Sequence, residues 1–548
     1  MTRRQPGLAG RSSVPPARAT MIACAFLLLL TACPNDTPPD TRATGEIRIE
    51  ASEPGSLDPA RADDLDEVMI VRHVFKGLVD YDPKTAAIRP ASAARWQVST
   101  DARQFTFTLR RNNRFSNGET VTSDSFVRAF NRVASKAQGS PLAAQLSGVV
   151  GYEDYRAAKA DTLAGVTALD EYRLQITLKA PDADFLARLV QPAFAPVPSE
   201  AAIKTQKPSW SDHPIGNGPY MIDNWSHNES VTLVPNPRWY GAAPKLARVD
   251  FVLLSDLELA YDEWQKGNLD WTRVPRAKEN QALAQNRGRL IEMATSTLWY
   301  LVAITDQSPT NNLLLRQAIS LAIDRRAISE TLFAGLHEPA TGIFPPGMPG
   351  YRNAAGGTGP CLYCRYDPGR ARDLMRDGGV PKSIEITLAV AGGTFAEEWA
   401  DRLALEIQRT LGVRIDVVTK KPLSDYRAYL TGARSGVLGA LSATMSYPTP
   451  DSYLRPLFAA GGGMNFSRWS NPTYDGFITQ AHTERNDGDR TQLYRRAEDA
   501  LVSQLPIIPL WWEGELRLVN LPRFSNLEMD VFGYPTLETA APKKATTG

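Results

Sequence analysis

Residues 384–418 read IEITLAVAGGTFAEEWADRLALEIQRTLGVRIDVV. Apolar residues alternate with polar ones at 384–390 and again at 413–418, which is the pattern of strands. The run at 395–411 between them has the spacing of an amphipathic helix. A strand, a helix and a second strand in this order predict a βαβ unit in a sheet covered by helices. We therefore predict an α/β fold.

Similar patterns continue on both sides of this stretch. An Asn117-Gly118 pair marks a tight turn. Alternating or short apolar runs predict further strands at residues 46–50, 105–109, 174–178 and 507–512. Helical periodicity predicts helices at residues 65–78, 122–133, 313–332 and 494–505, and one that begins at residue 367.

The composition is that of a globular protein. The chain has 548 residues, of which 43% are hydrophobic and 22% charged. These values exclude a disordered, collagen-like or coiled-coil chain. The length predicts about three or four domain-sized units. A formal net charge of +1 gives no reason to expect nucleic acid as a partner.

The N-terminus has the features of an export signal. Residues 1–20 hold four arginines and no acid, and a ten-residue apolar run follows at 21–30. Ten helical residues rise only about 15 Å, too little to span a bilayer. We predict a signal peptide at 1–32. The sequence LTAC ending at Cys33 looks like a bacterial lipoprotein box, which predicts a lipid on Cys33; an ordinary signal peptide with Cys33 unmodified is the alternative.

Two further features concern the exported part of the chain. The polar, Pro-rich residues 33–45 predict a flexible tether. Once Cys24 is cleaved away and Cys33 is capped, only Cys361 and Cys364 remain. In an oxidising compartment this pair predicts a local disulfide. A redox motif would need a strand and a helix around the pair, and zinc would need two more ligands.

Motifs for catalysis are absent. The sequence has no phosphate-binding GxxxxGK[ST] loop, no GxGxxG after a strand, no GxSxG and no HExxH, and its five histidines are scattered. We expect no enzymatic activity, no cofactor and no metal site. A secreted enzyme with an unrecognised active site is the alternative.

Several short sequence motifs follow one another in a characteristic order along the whole chain. They are 53–59 (EPGSLDP) with 74–78 (VFKGL), 107–111 (FTLRR) with 115–126 (FSNGETVTSDSF), 215–220 (IGNGPY) with 236–240 (NPRWY), 315–325 (LRQAISLAIDR) with 344–346 (FPP), and 447–454 (YPTPDSYL) with 465–475 (NFSRWSNPTYD). Together they resemble the peptide-binding proteins of ABC importers, solute-binding family 5.

The resemblance implies a bilobal periplasmic-binding-protein clamp, of type II and the large peptide-binding subclass, with an extra subdomain. Ligand would be enclosed in the crevice between the lobes. The implied divisions are lobe I at 46–75, 206–296 and 515–548, the additional subdomain at 76–205, and lobe II at 297–514.

The resemblance also suggests ligand-binding residues. Members that bind free peptides carry an Asp before the Tyr of the motif that begins here at Tyr447, on a stretch with a Trp; this chain has Ser446 and Ala443 instead. Either another acid meets the ligand's amine, or the ligand has no free α-amine. Our candidates are Asp63, Asp64, Leu65, Trp299, Tyr300, Ser446, Tyr447 and Thr449. Asp63 and Asp64 could instead cap the following helix, and Trp299 and Tyr300 could be core residues.

The leading hypothesis is a periplasmic, lipid-anchored and monomeric receptor. It would capture peptides or peptide-like solutes and deliver them to the permease subunits of an ABC importer. A receptor for a non-peptide or N-blocked solute, such as a metal chelate or a sugar oligomer, is the main alternative.

Overall fold

The computed structural model describes residues 45–286, 288–352 and 359–543. The predicted signal peptide, Cys33 and nearly all of the tether lie outside these ranges. Within them, no helix combines the length and apolar character needed to cross a bilayer.

The described strands belong to several sheets. They are β1 (Glu46–Ala51), β2 (Val79–Tyr81), β3 (Ile88–Pro90), β4 (Ala93–Val98), β5 (Gln104–Leu109), β6 (Val166–Asp170), β7 (Arg173–Thr177), β8 (Tyr220–Ser226), β9 (Ser230–Pro235), β10 (Arg248–Leu253), β11 (Trp271–Arg273), β12 (Leu290–Ala303), β13 (Glu338–Pro339), β14 (Glu385–Ala391), β15 (Arg414–Lys420), β16 (Val437–Thr444), β17 (Ile507–Val519), β18 (Phe524–Ser525) and β19 (Ala541–Pro542).

The described α-helices are concentrated in the second half of the chain. They are α1 (Leu65–Val74), α2 (Ser123–Ala134), α3 (Tyr152–Arg156), α4 (Phe185–Arg188), α5 (Glu200–Thr205), α6 (Leu257–Gln265), α7 (Glu279–Gln285), α8 (Leu313–Ala322), α9 (Arg325–Leu332), α10 (Pro368–Asp377), α11 (Ala396–Leu411), α12 (Leu423–Gly432), α13 (Asp451–Phe458), α14 (Pro472–Thr483) and α15 (Asp487–Gln504). Short 3-10 turns lie at Ala143–Leu146, Pro192–Phe194 and Arg276–Lys278.

The βαβ unit forms as predicted. Strands β14 and β15 pair in parallel, with Glu385 opposite Arg414. Helix α11 connects them and buries Trp399, Leu403 and Ile407 against the sheet. Because this unit lies within a larger mixed sheet with helices packed on it, the α/β prediction is confirmed.

One large sheet runs through both lobes. Its strand order is β15-β14-β16-β12-β17-β11-β1-β10-β9-β8, and β13 pairs with β17 outside this path. The long strands β12 and β17 therefore connect the two halves of the sheet. Their pairing is irregular between Ala294 and Leu298. This irregularity spans the position at which the resemblance divides lobe I from lobe II.

The additional subdomain is built on a smaller antiparallel sheet with the order β4-β5-β7-β6. Its core is continuous with that of lobe I: Phe107 and Leu174 belong to the same buried cluster as Ile49 and Phe251. In lobe II, two further clusters of buried hydrophobic residues lie on opposite faces of the sheet. Trp399 and Leu438 belong to one of them, and Tyr453 belongs to the other.

One predicted helix is shorter in the structure, and another is divided in two. The helix expected at 65–78 ends at Val74, because Phe75 adopts an extended conformation. The chain then passes close to a neighbouring segment at Gly77, where an added Cβ would lie 3.0 Å from the Leu189 carbonyl oxygen. The helix expected at 313–332 is two helices.

The break between α8 and α9 has a local cause. The side chain of Asp324 accepts a hydrogen bond from the backbone N–H of Ala327, which caps the start of α9. Arg325 then turns its guanidinium back to the carbonyl oxygens of Ser320 and Ile323 at the end of α8. An Asp in the middle of an apolar helical pattern therefore begins a second helix.

The C-terminal elements are longer than predicted. Helix α15 begins at Asp487, where the Asn486 side chain caps it, and not at 494. Strand β17 continues to Val519 and not only to 512.

The structure also contains a disulfide between Cys361 and Cys364.

Candidate ligand-binding cleft

A cleft of about 530 Å³ is lined by residues from all three divisions that the resemblance implies, lobe I, lobe II and the additional subdomain. Lobe I contributes the start of α1 and the C-terminal segment around Tyr534. The subdomain contributes residues around Tyr81 and Gln191. Lobe II contributes the end of β16 and the segment that follows it. The cleft therefore has walls on several different parts of the chain, as a ligand clamp requires.

The polar floor of the cleft comes from the irregular pairing of β12 with β17. Ala294 pairs with Gly514 and Leu298 with Trp512, so residues 295–297 stand opposite Glu513 alone. Thr295, Ser296 and Thr297 all line the cleft. The Thr297 hydroxyl lies 2.8 Å from that of Thr444 on β16. Bulges of this kind redirect side chains, and they are common next to functional sites.

Glu513 is the acid that stands opposite residues 295–297. The indole Nε1–H of Trp299 donates to its Oε2 over 3.4 Å. Burial and the neighbouring charge of Glu515 raise the pKa of Glu513 to about 7. Among the residues that the structure describes, no cationic side chain lies within 4.0 Å of its carboxylate oxygens.

A buried ion-pair network borders the same floor. The guanidinium of Arg273 at the end of β11 donates through Nε to both carboxylate oxygens of Glu50, at 3.0 and 3.1 Å. Its Nη2 also contacts Glu50 and donates to Asp66 at 2.9 Å. The Glu50 side chain is only 1% exposed. Arg273 thus neutralises two acids that would otherwise be buried without a countercharge.

The opposite wall has cations that are also paired. Arg72 on α1 forms an ion pair with Asp530, and its guanidinium carbon lies 4.7 Å from the centre of the Tyr534 ring. Lys76 lies 3.3 Å from Asp80. Apolar lining between these charges includes Val68 and Phe532. The cleft can therefore accommodate a solute with both polar and apolar parts.

Three predicted site residues line the cleft: Asp63, Leu65 and Ser446. Leu65 is 58% exposed, so its side chain stands free at the start of α1. The backbone carbonyl of Ser446 accepts a hydrogen bond from Gln191 of the subdomain over 2.9 Å. Asp64 is absent from the lining. It is the N-cap of α1, where its carboxylate accepts from the Asp66 backbone N–H, and Glu67 completes a capping box.

The predicted aromatic residues lie behind the cleft wall. Trp299 is 8% exposed and packs edge-to-face on Phe395 and Trp399. Tyr300 is 2% exposed and belongs to the core on the other face of the sheet. Trp299 reaches the cleft indirectly, through its hydrogen bond to Glu513.

Tyr447 and Thr449 are buried beside the cleft but do not line it. The Tyr447 hydroxyl donates to Asp451 over 3.1 Å. They therefore support the segment that carries Ser446.

Sequence reasoning missed the acids and cations of the cleft floor. Glu513, Glu515 and Arg517 all line the cleft from β17. Their alternation continues the strand pattern beyond Trp512, and this alternation was the available signal. The pairing of Glu50 with Arg273 joins residues far apart in sequence and left no local signal.

A potential metal-ligand cluster lies outside the cleft. The carboxylates of Asp184 and Asp451 and the imidazole of His482 place ligand atoms within 4.8 Å of one another. Both Arg188 and Arg455 lie 3.3 Å from Asp451. These guanidinium groups neutralise Asp451, and Arg490 lies 3.4 Å from Asp184. We therefore interpret the cluster as an internal ion-pair network that joins the subdomain to lobe II.

The comparison with protein families decides the assignment. The family model for bacterial extracellular solute-binding proteins, family 5 (middle), matches residues 87–465. This chain belongs to that family. The resemblance stated from the ordered sequence motifs is confirmed, and so is the bilobal clamp.

Two curated relatives of this chain are named for different ligands. The chain is 27% identical over 490 residues to the dipeptide-binding protein DppE of Bacillus subtilis, covering 86% of this chain and 87% of the relative. It is 28% identical over 480 residues to the probable deoxycholate-binding periplasmic protein YgiS of Escherichia coli, covering 86% and 88%. These relatives are binding proteins.

Two solved structures of a murein tripeptide-binding protein, MppA, are similar to this chain. The unliganded open form matches with a TM-score of 0.82 at 27% identity, covering 91% of this chain and 98% of that chain. The second, from Escherichia coli, matches with a TM-score of 0.69 at 28% identity, covering 92% and 99%. Both likenesses agree with the bilobal fold of this chain.

Proposed function

We propose that this family 5 solute-binding protein is a periplasmic, monomeric receptor for peptides or peptide-like solutes. It is anchored by a lipid on Cys33 and delivers its ligand to the permease subunits of an ABC importer. The observation that carries this proposal is the cleft bordered by both lobes and the subdomain, with polar floor groups at 295–297. The backbone donors and acceptors of a peptide can form hydrogen bonds with such groups whatever its side chains are.

A non-peptide or N-blocked solute is the second candidate. Ser446 supports it, because a neutral hydroxyl stands where an acid would neutralise a ligand amine. The likeness to a probable deoxycholate-binding protein also supports it. The cleft lining argues against an anionic solute, because its six carboxylates outnumber its four cationic side chains.

Calorimetric titration of the purified protein tests the proposal. The panel is tri-alanine, the murein tripeptide and deoxycholate. We expect at least one peptide to bind and deoxycholate to bind more weakly. Binding of deoxycholate alone would reject the peptide proposal in favour of the second candidate. Asp63→Asn, with Asp64→Asn as its control outside the lining, tests whether Asp63 contributes to the binding of a free peptide amine.

A further inference from the structure

The cationic side chains that line the cleft all have acidic partners, but not all of its carboxylates have cationic ones. Each of its four cations has an acidic partner within 4.0 Å. The pairs are Arg72 with Asp530, Lys76 with Asp80, Arg273 with Glu50 and Asp66, and Arg517 with Glu515. Among the described lining residues, this leaves two carboxylates without a cation, Asp63 and Glu513. A positively charged solute would supply what the protein does not.

The two unpaired acids differ in their surroundings. Asp63 is exposed at the cleft edge, where water and salt screen its charge. Glu513 is half-buried on the floor, and Trp299 holds one of its oxygens. An ion pair formed in the less polar position is worth more, because the local dielectric constant is lower. Glu513 is therefore the stronger attachment point for a cation.

We propose that Glu513 binds a primary ammonium group of the ligand, so that this cleft selects solutes carrying an amine. The inference deepens the proposed function and rests on it. The floor offers further acceptors: an ammonium has three donors, and Thr295 and Thr297, whose hydroxyl groups can accept hydrogen bonds, line the same cleft. The amine could be the peptide's N-terminus or a lysine-like side chain, because both present the same group.

The protonation state of Glu513 provides a direct readout. Its pKa is raised to about 7, by burial and then by Glu515, while Trp299, Arg276 and Arg517 lower it. About half of the molecules therefore carry a proton on Glu513 at pH 7. A bound ammonium favours the carboxylate and expels this proton. Binding should release up to about half a proton per ligand.

The experiment is isothermal titration at pH 7 with three probes: Ala-Ala-Ala, acetyl-Ala-Ala-Ala and acetyl-Ala-Lys-Ala. The first carries an α-amine, the second carries none and the third carries only a side-chain amine. Proton release is measured from the dependence of the binding enthalpy on buffer ionisation enthalpy. The variants are Glu513→Gln and the control Glu338→Gln. Glu338 is exposed, pairs with Trp512 beside Glu513 and is outside the lining.

We expect at least one amine probe to bind ten to a hundredfold more tightly than acetyl-Ala-Ala-Ala, with release of protons. Glu513→Gln should remove both effects, and Glu338→Gln should leave them unchanged. The probe that retains the advantage identifies the source of the amine.

Other outcomes separate this inference from the proposed function. Equal binding of all three probes would overturn the role of Glu513 and leave the peptide receptor standing. A preference for amines that survives Glu513→Gln but not Asp63→Asn would assign the role to Asp63. Binding of none of the probes would overturn the inference together with the proposal for short peptides. If Glu513→Gln does not fold, absence of proton release in the wild type overturns the inference.

Discussion

Replacing Arg273 by methionine should strongly destabilise the protein. The substitution keeps an unbranched apolar stem but removes the guanidinium that contacts Glu50 and Asp66. The Glu50 carboxylate is 1% exposed, so water cannot take the place of the lost cation. Removing one partner of a buried ion pair costs about 3–5 kcal/mol.

The double variant Glu50→Gln with Arg273→Met separates the two possible causes of this loss. If the cost comes from an unpaired buried charge, neutralising Glu50 should recover a large part of it. If it comes from lost packing of the arginine stem, the double variant should be no more stable than Arg273→Met. Urea unfolding followed by tryptophan fluorescence measures the free energy of unfolding of each variant.

Arg414→Met is the matched control. Arg414 also contacts two acids, Glu385 and Asp416, but its side chain is 62% exposed. Its loss should cost far less than the loss of Arg273, because solvent screens exposed pairs. A free energy of unfolding for Arg273→Met within about 0.5 kcal/mol of the wild type would refute the reasoning.

Three further predictions concern other parts of the chain. Cys33→Ala should move the protein from the membrane to the soluble fraction, and unchanged fractionation would reject the lipid anchor. Intact-mass analysis should show Cys361 and Cys364 protected from alkylation until reductant is added; free thiols beforehand would reject the disulfide. Burial lowers the pKa of His482, but the hydrogen bond to Asp451 contributes to a net rise. Its stabilising contribution is therefore complete below about pH 6.5 and is lost as the pH rises through the raised pKa. Urea unfolding should show this loss in the wild type and not in His482→Gln.

Local patterns predicted the local structure well. The alternation at 384–390 and 413–418 predicted β14 and β15, which pair in parallel at one edge of the large sheet. The break at Asp324 was missed because the periodicity of apolar residues continues across it. A side-chain cap decides that point, and the apolar pattern does not show it.

The candidate site was harder to predict, because the cleft is made by contacts between distant segments. Ser446, Asp63 and Leu65, which the resemblance suggested, all line the cleft, and their contact with a ligand stays a prediction. The alternative interpretation of Asp64 as a helix cap agrees with its hydrogen bond. Glu513 was not a candidate because its position depends on the irregular pairing of β12 with β17, which only the folded chain shows.

The central claim is that the cleft between the lobes holds a peptide or peptide-like solute. Mass spectrometry of solutes released from protein purified without refolding tests it most directly. We expect small peptides, and amine-bearing ones in particular, in stoichiometric amounts with the protein. The same protein with Glu513→Gln should retain less of them, and Glu338→Gln should retain as much as the wild type. Stoichiometric release of a solute with no peptide bond would contradict the claim.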